Sequence, residues 1–177
     1  MDLRIVKTRA AILEAWEKLR SKKPTEAITV KELASMAQIN KATFYLHFYD
    51  VYDLADYWER QMVSQVLDSL PPAEEFLADP VAAVQTLAQA FIQKSALLDA
   101  MYAYGNHDRI AEKLEQGMLH YVFGCRPDWT DNEQARIILQ FTIYGGFHAF
   151  IRNKERNLPE VLGALSTVAT RLVPLMQ

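Results

Sequence analysis

The run Lys41-Ala42-Thr43-Phe44-Tyr45-Leu46-His47-Phe48 holds the side chains of this sequence best suited to recognition chemistry. Wound as a helix at about 100° per residue, it sets Phe44 and Phe48 about 40° apart on one side, with Ala42 and Leu46 near the opposite side. Lys41 and Tyr45 then flank one edge, and Thr43 and His47 the other. Two phenylalanines behind, with a mixed cationic, hydroxyl and small-residue face in front, suit contact with phosphates and base edges. Lys41 adds positive charge beside the amides of a helix start, a combination suited to phosphate. Elsewhere the reactive types are scattered. His107, His120 and His148 lack the i, i+4 ligand spacing or the cysteine partner of a metal site. Cys125 is the single cysteine, so no intrachain disulfide forms, and its thiol reads as inert filling. No G-x-S-x-G, glycine-rich phosphate loop or CxxC occurs. The expectation is a binding protein with no catalytic residues, no metal and no cofactor.

The elements that must position this run are helical throughout, because no stretch alternates apolar and polar residues for long and no Asn-Gly or Asp-Gly hairpin turn occurs. A first amphipathic helix over about 4–20 carries Ile5, Ile12, Leu13, Trp16 and Leu19 and gives way to the polar run SKKPTEA. Thr29 with Glu32 forms the S/T-x-x-E capping box of a second helix, whose Val30, Leu33, Ala34 and Ala37 share a face. Asn40 caps the next helix after only about three intervening residues. Two short helices with a tight turn, preceded by a packing helix, make a helix-turn-helix unit whose second helix fits the major groove of DNA.

Beyond it, Asp50 and Asp53 open a helix over about 50–70, with Leu54, Trp58, Met62, Val66 and Leu70, stopped by Pro71-Pro72. Asp79-Pro80 starts another, reaching about 95. Aromatic-rich segments follow at about 97–104 and 107–123. Thr130-x-x-Glu133 reads as a further capping box leading into a helix over about 131–153, and Pro159 sits in the first turn of a last helix ending near 173. The former is apolar nearly all round, which predicts burial on more than one side. Gly145-Gly146 within it reads as a site of close helix packing.

The chain has 177 residues, half of them apolar and 23% charged, a globular composition with length enough for a core. No apolar run reaches a membrane span, and the start lacks a signal peptide's apolar stretch, so the expected location is the cytoplasm and no membrane partner is expected. The net charge of −3 is unevenly spread. Residues 1–48 hold nine Lys/Arg against five acids, leaving ten basic and seventeen acidic residues for the rest. A cationic head on an acidic body suits a polyanion, or is a solvated basic face; charge alone does not choose.

At Lys41–Phe48 the sequence resembles the TetR family of bacterial transcriptional regulators, whose signature has a basic residue, a small residue, Ser/Thr, an apolar residue, Tyr, any residue, His or Tyr, and Phe. The match is position by position, TVKELASMAQIN supplies the preceding helix, and the resemblance spans about residues 8–54. It implies an all-α protein with an N-terminal three-helix DNA-binding domain (1–49) and a C-terminal helical effector-binding and dimerisation domain (50–177). The implied partners are double-stranded DNA, a second copy and an unidentified small apolar or aromatic effector. The DNA-binding candidates are Thr29, Asn40, Lys41, Ala42, Thr43, Tyr45, Leu46 and His47. Thr29 is first a cap, and the resemblance adds that its helix terminus points to a phosphate. One departure is Val51, where many members carry a lysine that grips phosphate; Tyr49 and Tyr52 are substitute hydroxyl donors.

Phe91, Met101, Tyr102, Tyr104, Met118, Tyr121, Phe141 and Tyr144 are candidate effector-lining residues, because aromatic and methionine-rich walls suit an apolar or aromatic ligand and the family forms its cavity in the middle helices. The last two long helices, with Gly145, Gly146, Ala149, Gly163 and Ala164, are the expected homodimer seam. The sequence thus reads as a ligand-responsive repressor on a palindromic operator. The alternative is a helical protein-interaction adaptor on the same fold, with Val51 as the mark of lost DNA binding.

Overall fold

The computed structural model describes residues 3–93, 98–99 and 107–176. All regular structure among them is helical: α1 (Leu3–Arg20), α2 (Val30–Met36), α3 (Lys41–Tyr45), α4 (Val51–Asp68), α5 (Ala73–Ala78), α6 (Pro80–Ile92), α7 (His107–Cys125), α8 (Glu133–Asn153) and α9 (Leu158–Leu172). Short 3-10 turns lie at Thr25–Ala27, Pro127–Trp129 and Val173–Met176. The helix expected at 97–104, and with it Met101, Tyr102 and Tyr104, lies outside the described residues. The described residues form two compact units, one comprising 3–61, 98–99 and 107 and the other 62–93 and 108–176.

In the first unit, Ile12, Ala15 and Trp16 of α1, Leu33 and Ala34 of α2, Phe44 of α3, and Phe48, Leu54 and Trp58 make the core. The expected α1 stripe stops short of its N-terminus, where Leu3, Ile5 and Val6 are exposed. Burying Trp58 requires a partner for its ring N–H, which donates to Glu17 Oε1 at 2.8 Å. The turn between α2 and α3 is fixed by backbone bonds: Ile39 N donates to the Ala34 carbonyl at 2.9 Å and Gln38 N to that of Ser35 at 3.3 Å. This is a Schellman closure, and its pivot Gln38 has φ 56°, the left-handed region that glycine usually fills. The turn spans Ala37–Asn40, one residue longer than expected.

In the second unit α9 packs on α6 and α8. Helix α5 corresponds to no element expected from the sequence; Pro72 precedes it, Glu74 and Glu75 occupy its first turn, and Ala73 and Phe76 bury its inner face. Asp79 caps α6 by accepting from Val81 N and Ala82 N at 3.1 and 3.0 Å, with Pro80 in the first turn. The start of α8 corrects the sequence reading. Thr130 is not its cap; Asn132 is, accepting from Ala135 N at 3.0 Å. The buried Trp129, with the Arg126 guanidinium 4.1 Å above its ring, anchors the Pro127–Trp129 turn. That turn holds Thr130 at helical dihedrals, and a cap needs an extended residue.

Along α8, Ala135, Leu139, Ile143, Phe147, Phe150 and Ile151 are buried, whereas Ile137 and Phe141 on another face are exposed. Gly145 and Gly146 do not make the expected close packing within the chain, since a Cβ at either would meet nothing within 4 Å. Gly117 of α7 does so instead, with Leu67 Cδ1 where its Cβ would be. The Cys125 thiol shares a hydrogen bond with Glu74, which raises its pKa and disfavours the reactive thiolate.

Candidate nucleic-acid interface and effector cavity

Helix α3 is held by its two ends. Asn40 Oδ1 accepts from Thr43 N at 2.7 Å and from Thr43 Oγ1 at 3.0 Å, closing the N-terminus. At the other end Leu46 N and His47 N donate to the Ala42 and Phe44 carbonyls. Phe44 and Phe48 anchor the helix beneath, their rings 5.9 Å apart, and Phe48 meets Tyr57 edge-on at 5.4 Å. The opposite face is free of chain: Lys41, Ala42, Tyr45 and Leu46 are exposed, Leu46 to 84%. Thr43 and His47 are half-buried at the edge. The imidazole of His47 is pushed below its ordinary range by burial and then by the charge of Arg9, so it stays neutral near pH 7. Arg9 itself lies 5.2 Å over the Tyr57 ring.

The N-terminus of α2 is closed by its own side chains. Glu32 accepts from Thr29 N at 3.0 Å and Thr29 Oγ1 at 2.8 Å, and Thr29 Oγ1 accepts from Glu32 N at 3.3 Å. Lys23 Nζ donates to the other carboxylate oxygen at 2.6 Å. The positive end of the helix is therefore already met by a carboxylate.

The departure at Val51 has a structural consequence. Val51 is buried at the start of α4, so that position presents nothing to an approaching phosphate. Its neighbours do: Tyr49 is 84% exposed and Tyr52 about half. Asp53 and Asp50 fix this corner, Asp53 Oδ2 accepting from Tyr49 N and Asp50 Oδ1 from Asp53 N, both at 2.8 Å.

The second unit contains a cavity of about 350 Å³ lined by residues of α5 to α9. Three candidate residues, Phe91, Met118 and Phe141, are on its wall. Tyr121 and Tyr144 are not. The Tyr121 hydroxyl donates to the Pro71 carbonyl and its ring packs edge-on against Phe76, so it serves the α5–α7 contact. The Tyr144 hydroxyl donates to Asp108 Oδ1 at 3.0 Å, beside His148. Hydroxyl-bearing aromatics seek polar partners when packed, and here the partners lie off the wall. Sequence reasoning missed Ala83, Val84, Leu87, Leu165 and Val168, which also line the cavity. They carry no signal distinguishing a cavity wall from solid core. Among the described residues Thr142 is the only one on the lining with a polar side chain, and its hydroxyl donates to the Ile138 carbonyl at 2.7 Å. Among the described residues no group of His, Cys, Asp or Glu is placed to hold a metal.

No family model matches the chain, and no curated protein matches it either. Solved structures do. A TetR transcriptional regulator from Rhodococcus sp. RHA1 is 16% identical, with 98% of each chain covered and a TM-score of 0.56. The dihydroxyacetone kinase operon activator DhaS is 15% identical over 96% of this chain and 93% of its own, with a TM-score of 0.56. The TetR-family repressor AlkX from Dietzia sp. strain DQ12-45-1b, implicated in biodegradation of n-alkanes, is 16% identical over 96% and 97%, with a TM-score of 0.52. The chain therefore has the all-α fold of TetR-type regulators, a helix-turn-helix unit followed by a helical C-terminal body. No described helix is long and apolar enough to cross a membrane.

Proposed function

We propose that the chain is a DNA-binding transcriptional regulator, a ligand-responsive repressor that holds a palindromic operator as a homodimer in the cytoplasm and is not an enzyme. Residues 1–49 bind DNA, and 50–177 bind effector and dimerise. The observation that carries this reading is the outward face of α3, with Lys41, Ala42, Tyr45 and Leu46 exposed above the buried Phe44 and Phe48. A short helix so anchored and so presented fits a major groove. Lys41, Tyr45, Tyr49 and Tyr52 supply phosphate contacts, while Ala42, Thr43, Leu46 and His47 face the bases; Thr29 and Asn40 act chiefly as caps that hold the helices in place. Among the fold's neighbours one is described as an activator and another as a repressor. For this chain, repression follows from occupancy of the operator, and a small apolar effector in the cavity favours an arrangement of the paired heads that no longer fits two half-sites.

The test is selection of genomic DNA fragments on the purified protein. An enriched palindrome is the expected result. Buried Val51, together with exposed Leu46 and Tyr49, favours a second reading in which the same surface contacts a protein. Absence of any enriched sequence selects that adaptor.

A further inference from the structure

Resting on the DNA-binding reading, we propose that Leu46, with Ala42 one turn before it, reads the 5-methyl group of thymine, making thymine the specifying base of this chain's half-site. The two residues are four apart, Ala42 in α3 and Leu46 at its C-cap, and both are exposed, Leu46 to 84%. The short polar side chains at the start of the face are bonded to each other. Asn40 Oδ1 accepts twice from Thr43, whose hydroxyl is itself spent as one of those donors. What remains at the centre of the face is hydrocarbon.

The occupant of that hydrocarbon is fixed by charge and by groove chemistry. Through residue 48 the head carries nine Lys/Arg against five acids, and Lys41 flanks the face, so the surface attracts a polyanion. Of the groups displayed in the major groove, the thymine methyl offers the largest apolar surface, whereas the acceptors and donors of guanine, adenine and cytosine lose water without gaining a partner against leucine. A leucine pressed on a methyl gains contact, and the same leucine on any other base edge costs affinity.

The experiment takes the operator recovered by genomic selection and resynthesises it with deoxyuridine for thymidine, one position at a time. Uracil pairs like thymine and lacks only the methyl. Wild-type protein is expected to bind about fourfold more weakly at one or two positions in each half-site, the effect of losing one buried methyl contact, with the other positions unaffected. Leu46→Ala, whose fold is checked by its circular dichroism, is expected to bind thymine and uracil operators alike at those positions. Equal affinity of the wild type for both operators overturns the methyl reading while leaving DNA binding intact, and so does retention of the discrimination by Leu46→Ala. If no operator is enriched at all, the DNA-binding reading fails, and the methyl reading falls with it.

Discussion

The carboxylate of Glu32 closes helix α2 back onto Thr29, taking both its backbone N–H and its hydroxyl within 3.0 Å while Lys23 holds the other oxygen. These bonds, led by that from Lys23, hold the Glu32 pKa at about 2 against an ordinary 4.5. A depressed carboxylate stabilises the fold fully above its unfolded value, and the contribution is lost as pH falls from there through the folded one. Glu32→Gln is therefore expected to lower the thermal midpoint of the first unit at neutral pH. The gap between variant and wild type should close as pH falls from about 4.5 towards about 2. Melting curves across that range check it; a gap independent of pH would assign the effect to the amide's geometry rather than to charge.

Gln38 pays a backbone cost that glycine would not, since φ 56° brings its Cβ against the following carbonyl. Gln38→Gly is expected to stabilise the first unit by about 1 kcal/mol, the left-handed penalty less the extra chain entropy of glycine. Chemical denaturation of wild type and variant measures it. Loss of stability would mean that the Gln38 side chain contributes more than its backbone costs.

That turn also marks where the sequence was legible and where it was not. Caps at Thr29, Asn40, Asp50 and Asp79 were readable because each pairs a short polar side chain with amides two or three residues on, a local matter. Phe44 and Phe48 were readable by spacing alone. The extra residue of the α2–α3 turn was hidden because its pivot is glutamine where the usual marker is glycine. Thr130 misled because its box pattern is complete in sequence, yet the preceding turn around Trp129 decides its dihedrals. The cavity was half legible. Aromatic and methionine content pointed to Phe91, Met118 and Phe141, but whether a side chain meets a void or a neighbour depends on helices far apart in the chain, and Tyr121 and Tyr144 went to neighbours.

Recognition and stability separate cleanly on α3. Lys41→Ala and Tyr45→Phe alter exposed side chains and are expected to weaken operator binding with helical content and melting unchanged. Loss of one phosphate contact at Lys41 should also lower the slope of log affinity against log salt by about 0.9. Phe48→Ala empties a buried site and is expected to cost about 3–5 kcal/mol of stability. Salt titrations by fluorescence anisotropy, beside denaturation curves, sort the three. A Lys41 variant with an unchanged slope removes that residue from the phosphate contacts.

The cavity wall predicts the polarity of its ligand. With Thr142 the only polar side chain on it among the described residues, and that hydroxyl bonded to Ile138, a charged ligand would be stripped of water without compensation. Neutral apolar or aromatic compounds at a hundred times their dissociation constant should stabilise by about 2.7 kcal/mol, a rise of roughly 5–10 °C in the melting midpoint. Carboxylate analogues of the same shape should give none. Ala83→Phe, which fills the space from α6, is expected to abolish the shift. Equal shifts from neutral and charged analogues would place their binding elsewhere.

The outer face of α8 sets the assembly prediction. Ile137, Phe141 and Gly145 follow one another at four-residue intervals, the first two exposed and the third with open space where a Cβ would lie, and Phe141 and Gly145 also border the cavity. Exposed phenylalanine and isoleucine on adjacent turns are costly in water, and a bare backbone beside them permits a second helix to come close. Within a monomer, Gly145→Ala has nothing to strike and should stabilise the helix by about 0.5–1 kcal/mol through propensity alone. Across a two-fold seam the same methyl meets the partner and weakens association. The expected result is therefore a dimer of twice 20.3 kDa for the wild type at micromolar concentration, and a weakened dimer for Gly145→Ala. Ile137→Glu, which places a charge at an exposed position that is not on the cavity wall, should give a folded monomer that binds operator far more weakly. Phe147 cannot serve for this purpose, since it is buried against Phe91 with ring centroids 5.3 Å apart. Light scattering decides: a wild-type mass near 20.3 kDa removes both the seam and the palindromic operator, because a single recognition helix reads too few base pairs to address a genome.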